Sequence, residues 1–358
     1  RKTDSPSDAA HMLRDYRARA ANYCEPFGLF MTTRVALVMP MLNEAVDLPD
    51  TLASVAAQTY DKALMRLIAV DGGSSDASPQ IVTDWLASAG IAGEVVANPR
   101  RRIPIALNIG AQRAGRECVI VRLDAHTTYD PAYVADVMRA FASGPPELGN
   151  VGCAQIPAPT TSYSRAIVAE LLTHPLGLAR IGVRDLREPV KVETVYLGSW
   201  RPGLLFDLGG FDEHWIANED SELEARLRDA GSTLLLVPSG NRYKVNRGVI
   251  ATIRQWGGYG FWRAQTSRRF PHELRPRHFV PAVVLLVALA LLFTPWRVVD
   301  LGLYLVYALA VVALRARGTP LGVALGCAVV FPCCQIGWTL GFVRGLFVKP
   351  PPFEPVLR

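Results

Sequence analysis

The sequence predicts an α/β protein in which a mostly parallel sheet is wound with helices and followed by C-terminal transmembrane helices. Three observations carry that expectation. From Val35 to Leu123, short β-branched runs alternate with stretches of helical periodicity. Distinctive polar residues follow directly on the apolar runs. From Phe279 onward the composition shifts to long apolar segments with a basic collar just ahead of them.

In chain order, residues 1–34 read as a polar tail in which Arg14, Arg17 and Arg19 sit on a short helix or a surface segment with no assignable chemistry. Strands follow at Val35 to Met39, Leu67 to Val70, Glu94 to Ala97 and Cys118 to Leu123. Helices fall between them at Leu48 to Gln58, Pro79 to Ala89 and Pro104 to Ala114. Strand–helix alternation at this spacing requires right-handed crossovers, hence a mostly parallel sheet. Ligands of such sheets bind beyond the carboxyl ends of the strands. The catalytic domain is therefore set at residues 35–250. Residues 251–278 form an amphipathic basic segment, 279–348 transmembrane helices and 349–358 a tail.

The apolar segments are Val280 to Phe293, Val298 to Leu314 and Leu321 to about Phe347. The first two are short for a hydrocarbon core that takes roughly 20 helical residues; Phe279, Trp296 and Tyr304 extend them to the interface. Thr294-Pro295-Trp296-Arg297 forces a hairpin between the first two. The competing reading is a buried helical hairpin of a soluble protein, and Arg344 leaves the third segment open as a crossing or a re-entrant helix.

The formal net charge is +6. Arg263, Arg268, Arg269, Arg275 and Arg277, with His272 and His278, gather at the collar, which suits an anionic cytoplasmic leaflet at about 1 kcal/mol per residue. That placement argues against a nucleic-acid partner. Charge counting puts the collar inside, the Thr294 to Val299 turn outside, and Arg315 and Arg317 inside again. The six cysteines show no metal-ligand spacing and read as small buried hydrophobes of a reducing compartment. No apolar stretch of signal-peptide length precedes Met31, so the catalytic part is expected in the cytoplasm, held at the inner membrane by a multi-pass C-terminal region.

The chemistry-bearing motifs sit at the ends of the apolar runs. Asp71-Gly72-Gly73-Ser74-Ser75-Asp76 lets backbone approach a flat base while an acceptor oxygen meets its imino hydrogen, although alone it is a common turn. Asp124-Ala125-His126 places two ligating side chains at one strand end, within reach of a divalent ion that neutralises a diphosphate; alone it is also an ordinary surface loop. Asn218-Glu219-Asp220 opens a helix after Gly209-Gly210-Phe211-Asp212-Glu213. Its carboxylates are either caps or a general base at a site rim.

Taken in order, Met39-Pro40-Met41-Leu42-Asn43-Glu44, the Asp71 motif, Ile103-Pro104-Ile105-Ala106-Leu107-Asn108, Val121-Arg122-Leu123-Asp124-Ala125-His126, the Gly209 motif and Asn218-Glu219-Asp220-Ser221-Glu222-Leu223 resemble glycosyltransferase family 2. Within it, the sequence is similar to the membrane-linked branch that includes succinoglycan-biosynthesis glucosyltransferases, from about Val35 to Arg277. The resemblance implies a GT-A fold, with the donor nucleotide in the N-terminal half and the acceptor in the C-terminal half. It implies Pro40, Asn43 and Glu44 lining the nucleotide pocket, Asp71 by the nucleobase with Gly72 and Asn108 on the donor side, Asp124 in the metal and diphosphate motif, and Asp220 as catalytic base. His126 stands where the family's second acid usually is. Asp124 and His126 thus form the expected metal pair for Mn2+ or Mg2+, and imidazole favours the softer ion. The Gln-x-x-Arg-Trp motif of processive members is absent from the Gln255-Trp256-Gly257 stretch. Glu219, Arg201 and Trp262 are assigned to the acceptor side.

The expected function is inverting transfer of a sugar from a nucleotide-diphosphate sugar, a UDP-sugar, to a hydroxyl of a lipid-linked glycan or polysaccharide. A cation meets charge developing on the leaving diphosphate, while one carboxylate removes the acceptor proton on the opposite face. An alternative acceptor is a polyprenyl phosphate held by Arg201 or the collar. A reading of another class is an inactive membrane scaffold, against which the intact Asp71, Asp124 and Asp220 stand.

Overall fold

The computed structural model describes residues 32–173, 186–313 and 318–357. The N-terminal arginines, Cys24, Arg315 and Arg317 lie outside the described residues. The chain divides into two compact units. One comprises residues 1–156, 183–243 and 352–358, and the other residues 157–182 and 244–351.

The first unit is an α/β sheet protein. Its elements are β1 (Val35–Met41), α1 (Leu48–Ala56), β2 (Met65–Asp71), α2 (Ser78–Leu86), β3 (Ala92–Ala97), α3 (Ile103–Ala114), β4 (Val119–Arg122), β5 (Thr127–Thr128), α4 (Tyr133–Ser143) and β6 (Leu148–Cys153). In the second unit, α5 (Tyr163–Thr173) follows. The first unit then resumes with β7 (Val190–Val192), β8 (Tyr196–Trp200), α6 (Leu204–Asp207), α7 (Glu219–Asp229), β9 (Thr233–Val237) and β10 (Arg242–Tyr243). Among the described residues the main sheet runs β3-β2-β1-β4-β8-β6-β9-β7. Strands β1, β2, β3, β4, β6 and β9 share one direction, and β8 and β7 oppose it.

Strand β1 is apolar throughout because both its faces are covered. Leu37 and Met39 enter one core with Leu67, Val121, Tyr133 and Phe141. Val38 points the other way, toward Ile120, Trp200, Phe211 and Leu223, as the two-residue period of a strand requires. Pro40 is tolerated in this central strand for a register reason. Val38 carbonyl accepts from Leu123 and Met41 carbonyl from Gly72, so Pro40 faces the β4 side, beyond the last paired residue of β4. A side chain at Gly110 would meet Val38 Cγ1 at 2.2 Å, so its absence lets α3 lie close on β1.

The expected strands and helices of residues 35–123 are all present, with β1 and β2 running on to Met41 and Asp71. The antiparallel β8 between β4 and β6 was not part of the sequence reading. It positions the site, because its first residue, Tyr196, arrives beside the carboxyl end of β4.

The second unit is helical, with α5, α8 (Val249–Arg269), α9 (Val280–Leu292), α10 (Arg297–Ala313) and α11 (Leu321–Phe347). Helices α8 and α11 meet along a glycine seam. A Cβ at Gly341 would stand 1.9 Å from Gly257 carbonyl oxygen, and one at Gly260 2.0 Å from that of Trp338. Small residues let helix backbones approach in this way where packing rather than water drives association. Gln265 is buried and donates to the carbonyls of Gly345 and Val348. Arg344 lies over the Phe261 ring, 5.5 Å from its centroid. Among the described residues, α11 is the one helix long and apolar enough to cross a bilayer; α9 is apolar but spans 13 residues. The outer faces of α9 and α10 expose large apolar side chains, among them Val284, Leu286, Leu301 and Leu305.

Candidate active site at the strand ends of the first unit

Two loops are laced together beyond β1 and β2. The Asp71 carboxylate accepts from Gly73 N–H at 3.0 Å, Ser74 N–H at 3.1 Å and Ser74 hydroxyl at 2.6 Å. Asn43 adopts left-handed backbone, φ +56°, and its Oδ1 accepts from Ser75 N–H at 2.8 Å, while its own N–H donates to Ser74 Oγ at 2.9 Å. Asn tolerates that conformation better than most residues. Glu44 N–H donates to Ser78 Oγ. Asp71 and Asn43 thus shape the loop that Gly72 leaves open, and Arg101, an exposed cation, donates to Gly73 carbonyl at 3.2 Å.

Beyond β4 the charged groups converge. Arg122 is half-buried and donates to Glu219 Oε1 at 3.2 Å and to Asp124 Oδ1 at 3.4 Å. Burial would lower the guanidinium's affinity for its proton, but Asp124, Glu219 and Asp220 together raise it. Asp124 Oδ2 accepts from Tyr196 hydroxyl at 3.0 Å, and its backbone N–H donates to Tyr129 hydroxyl at 2.7 Å. Asn218, left-handed at φ +57°, turns the chain into α7, whose first residues are Glu219 and Asp220. Burial and the neighbouring Asp220 push the Glu219 carboxyl up, opposed by Arg122. Asp220 Oδ1 accepts Ser221 N–H at 2.7 Å. Its side chain is half-buried, and Oδ2 has no hydrogen-bond partner among the described residues. One turn further on, the fully buried Glu224 accepts Val195 N–H at 2.8 Å; burial, then Asp220, pushes it up to about 8.

His126 Nδ1 lies 3.1 Å from Glu44 Oε1, and the Tyr243 ring packs edge-on at 5.2 Å. Burial lowers the proton affinity of the imidazole, yet the Glu44 hydrogen bond and the Asp124, Glu44 and Asp47 charges outweigh it, so the net shift is upward. The donor set at this strand end fits a divalent ion. Glu44 occupies Nδ1 and leaves Nε2, the arrangement by which a carboxylate orients a metal-ligating histidine, and the Tyr196 hydroxyl orients Asp124 in the same way. Among the described residues no three His, Cys, Asp or Glu side chains are placed to hold a metal ion together.

The fold brings Glu44, Asp124, His126, Glu219 and Asp220 into one charged cluster, with the Asn43 and Asp71 loops at the adjoining strand ends. Two assigned residues are engaged elsewhere in the first unit. Asn108 is buried and its amide is used up: Oδ1 accepts Phe211 N–H at 2.8 Å, and Nδ2 donates to Phe211 carbonyl and Glu213. It bridges α3 to the Gly209–Glu213 loop instead of facing a ligand. Arg201 follows the end of β8 remote from Tyr196. Its guanidinium donates to the carbonyls of Leu148, Phe141 and Pro145 and stacks on Phe141, so its acceptor-side assignment is corrected to a structural one. Trp262 belongs to the second unit. Sequence reasoning missed Arg122, although a charge inside an apolar strand run is itself a signal. It also missed Tyr196 and Glu224, which carry no local signal.

The fold is that of the GT-A glycosyltransferases. Residues 36–194 match the family model described as glycosyl transferase family 2. A curated relative, the succinoglycan biosynthesis protein ExoA of Rhizobium meliloti (strain 1021), is 24% identical over 331 residues, covering 88% of this chain and 96% of the relative. Residues 36–194 thus carry a family 2 glycosyltransferase match, and the chain as a whole is similar to an enzyme of succinoglycan biosynthesis. Among solved structures, the mannosyltransferase PcManGT from Pyrobaculum calidifontis, in complex with GDP-Man and Mn2+, aligns with TM-score 0.55 at 20% identity, over 95% of this chain and 96% of that chain. S. aureus TarS 1–349 in complex with UDP-GlcNAc aligns with TM-score 0.50 at 12% identity, over 88% and 93%. These two likenesses are of fold.

Proposed function

We propose that this glycosyltransferase transfers a sugar, with inversion, from a nucleotide-diphosphate sugar to a hydroxyl of a lipid-linked glycan or polysaccharide at the inner face of a membrane. The observation that carries the reading is Asp220. Its carboxylate stands at the first turn of α7, with one oxygen held by Ser221 N–H and the other without a hydrogen-bond partner among the described residues, beside the Arg122–Asp124–Glu219 cluster. The acceptor oxygen attacks the anomeric carbon while its proton passes to Asp220 Oδ2. The bond from that carbon to the β-phosphate oxygen breaks, and nucleoside diphosphate leaves on the opposite face. A single base and in-line displacement invert the anomeric centre.

In this reading Asn43, Gly72 and Asp71 shape the nucleotide pocket, with Pro40 and Glu44 at its β1 side. Asp124 and His126 would hold a divalent cation, Mn2+ or Mg2+, which when bound neutralises charge on the diphosphate. Arg122 bridges Asp124 and Glu219 beside the base. The relatives support this donor chemistry, since PcManGT is described with GDP-Man and Mn2+ and TarS with UDP-GlcNAc; a UDP-sugar is the donor we favour. The helical unit, with α11 as a crossing and α9 and α10 as further membrane helices, would hold the cytoplasmic catalytic domain at the bilayer. The committing experiment is a panel of UDP-glucose, UDP-galactose, UDP-GlcNAc and GDP-mannose, tested for binding and for Mn2+- or Mg2+-dependent hydrolysis by the full chain. Binding of none of them, or release of a sugar of retained configuration, refutes the reading.

A further inference from the structure

The last described residues, 352–357, follow the second unit in sequence but belong to the first. Gly209 and Gly210 are both left-handed, φ +78° and +83°, which turns the loop after α6 so that Gly209 carbonyl accepts Val356 N–H at 2.8 Å and Leu357 N–H at 3.3 Å. Neither glycine has room for a side chain. A Cβ on Gly209 would stand 2.7 Å from Pro355 Cβ, and one on Gly210 2.8 Å from Leu357 Cγ and 2.6 Å from Asn108 Oδ1. Leu357 is 1% exposed, inside the cluster that contains Trp200, Phe211, Leu223 and Leu227. The Phe353 ring covers the face of the Arg226 guanidinium, 4.3 Å from it. That guanidinium binds both Glu222 oxygens and donates to Leu208 carbonyl at 2.7 Å.

These contacts converge on one structural joint. Asn108 grips the Gly209–Glu213 loop from α3, residues 353–357 grip it from another side, and Leu223, Glu222 and Arg226 belong to α7, the helix that opens with Asp220. We propose that residues 352–357 are a positioning strap: Leu357 and Phe353 hold α7 and the two-glycine loop in the arrangement that presents Asp220 to the acceptor. The proposal rests on the reading of Asp220 as the base. Consecutive left-handed glycines have the largest conformational freedom to regain, so the joint relaxes when its outer contacts are removed. Displacing a reacting group by about 1 Å lowers turnover by up to about 100-fold.

The test uses the full chain in detergent with Leu357→Ala, the double variant Phe353→Ala/Leu357→Ala, and Leu357→Met as the conservative control. UDP-glucose and GDP-mannose serve as donor probes, and amide hydrogen exchange is followed over residues 208–224. The strap predicts faster exchange in that stretch for the alanine variants. It further predicts kcat at least tenfold lower in the double variant, donor KM within about twofold, and wild-type values for Leu357→Met. If the double variant fails to fold, Leu357→Ala alone carries the same comparison at smaller amplitude. Unchanged exchange over 208–224 overturns the strap whatever the activity. Faster exchange with unchanged kcat overturns its catalytic consequence. A fully active Asp220→Asn variant would instead remove the base assignment while leaving the exchange result standing.

Discussion

Glu224 offers the sharpest quantitative test of the site's electrostatics, through Glu224→Gln. The carboxyl is 2% exposed, one turn along α7 from Asp220, and accepts Val195 N–H at 2.8 Å. Burial, reinforced by Asp220, raises it from 4.5 to about 8. Between those values the folded protein keeps a proton that the unfolded chain has released. Protons bound in excess by the folded state make stability fall as pH rises. The contribution is therefore complete below about 4.5 and gone above about 8, and the gap amounts to ~5 kcal/mol at 1.36 kcal/mol per pH unit. Glutamine keeps an oxygen for Val195 N–H but has no proton to lose. Relative to wild type, Glu224→Gln should gain ~3 kcal/mol of stability between pH 5 and pH 7. Thermal unfolding of both full-length proteins in the same detergent at those two pH values reads the difference, roughly 6–12 °C for a unit of this size. Parallel pH slopes in the two proteins would refute the claim that Glu224 is protonated in the folded state.

Other outcomes follow from the same geometry. Asp220→Asn should reduce transfer by three orders of magnitude or more, to about background, while donor affinity stays within about threefold, because a base acts only in the transition state; calorimetric loss of donor binding would move Asp220 into the donor site. His126→Asp should shift the preference from Mn2+ toward Mg2+, since oxygen suits the harder ion. An unchanged metal profile at full activity would put His126 outside the coordination sphere. Tyr196→Phe, which removes the hydroxyl on Asp124, should raise the Mn2+ concentration needed for half-maximal rate by about 10-fold, and an identical metal titration would show that the contact is idle. A cysteine at Thr294 should react with an impermeant thiol reagent in intact cells lacking the native cysteines, and one at Arg277 should not. Arg277 is exposed in the collar, so a cysteine there is open to reagent from its own side of the membrane. Labelling at Arg277 alone would reverse the topology.

Much of the first unit was legible before any coordinates. Every strand and helix read between Val35 and Leu123 is present, because a strand buried on both faces must be apolar end to end and a helix covering it must repeat its apolar face. The strand-end rule likewise directed attention to Asp71 and Asp124, which do stand at the ends of β2 and β4. The same local reasoning failed where a polar residue had two uses. Arg201 had the charge for a phosphate, but its guanidinium is spent on three main-chain carbonyls. Asn108 lies in a family motif, yet its amide closes a loop far along the chain.

Hydrophobic period and neighbouring residues were enough to set the elements between Val35 and Leu123, their parallel winding and the carboxylates placed at strand ends. Tertiary structure alone decided that the antiparallel β8 delivers Tyr196 to Asp124, that Arg122 joins Asp124 to Glu219, and that Leu357 fills the core beside α7. The physical reason is range: burial periodicity is written within one turn or one strand. The partner of a buried polar or apolar group is instead whichever segment the folded sheet carries to it, and nothing in the group's own neighbourhood records that choice.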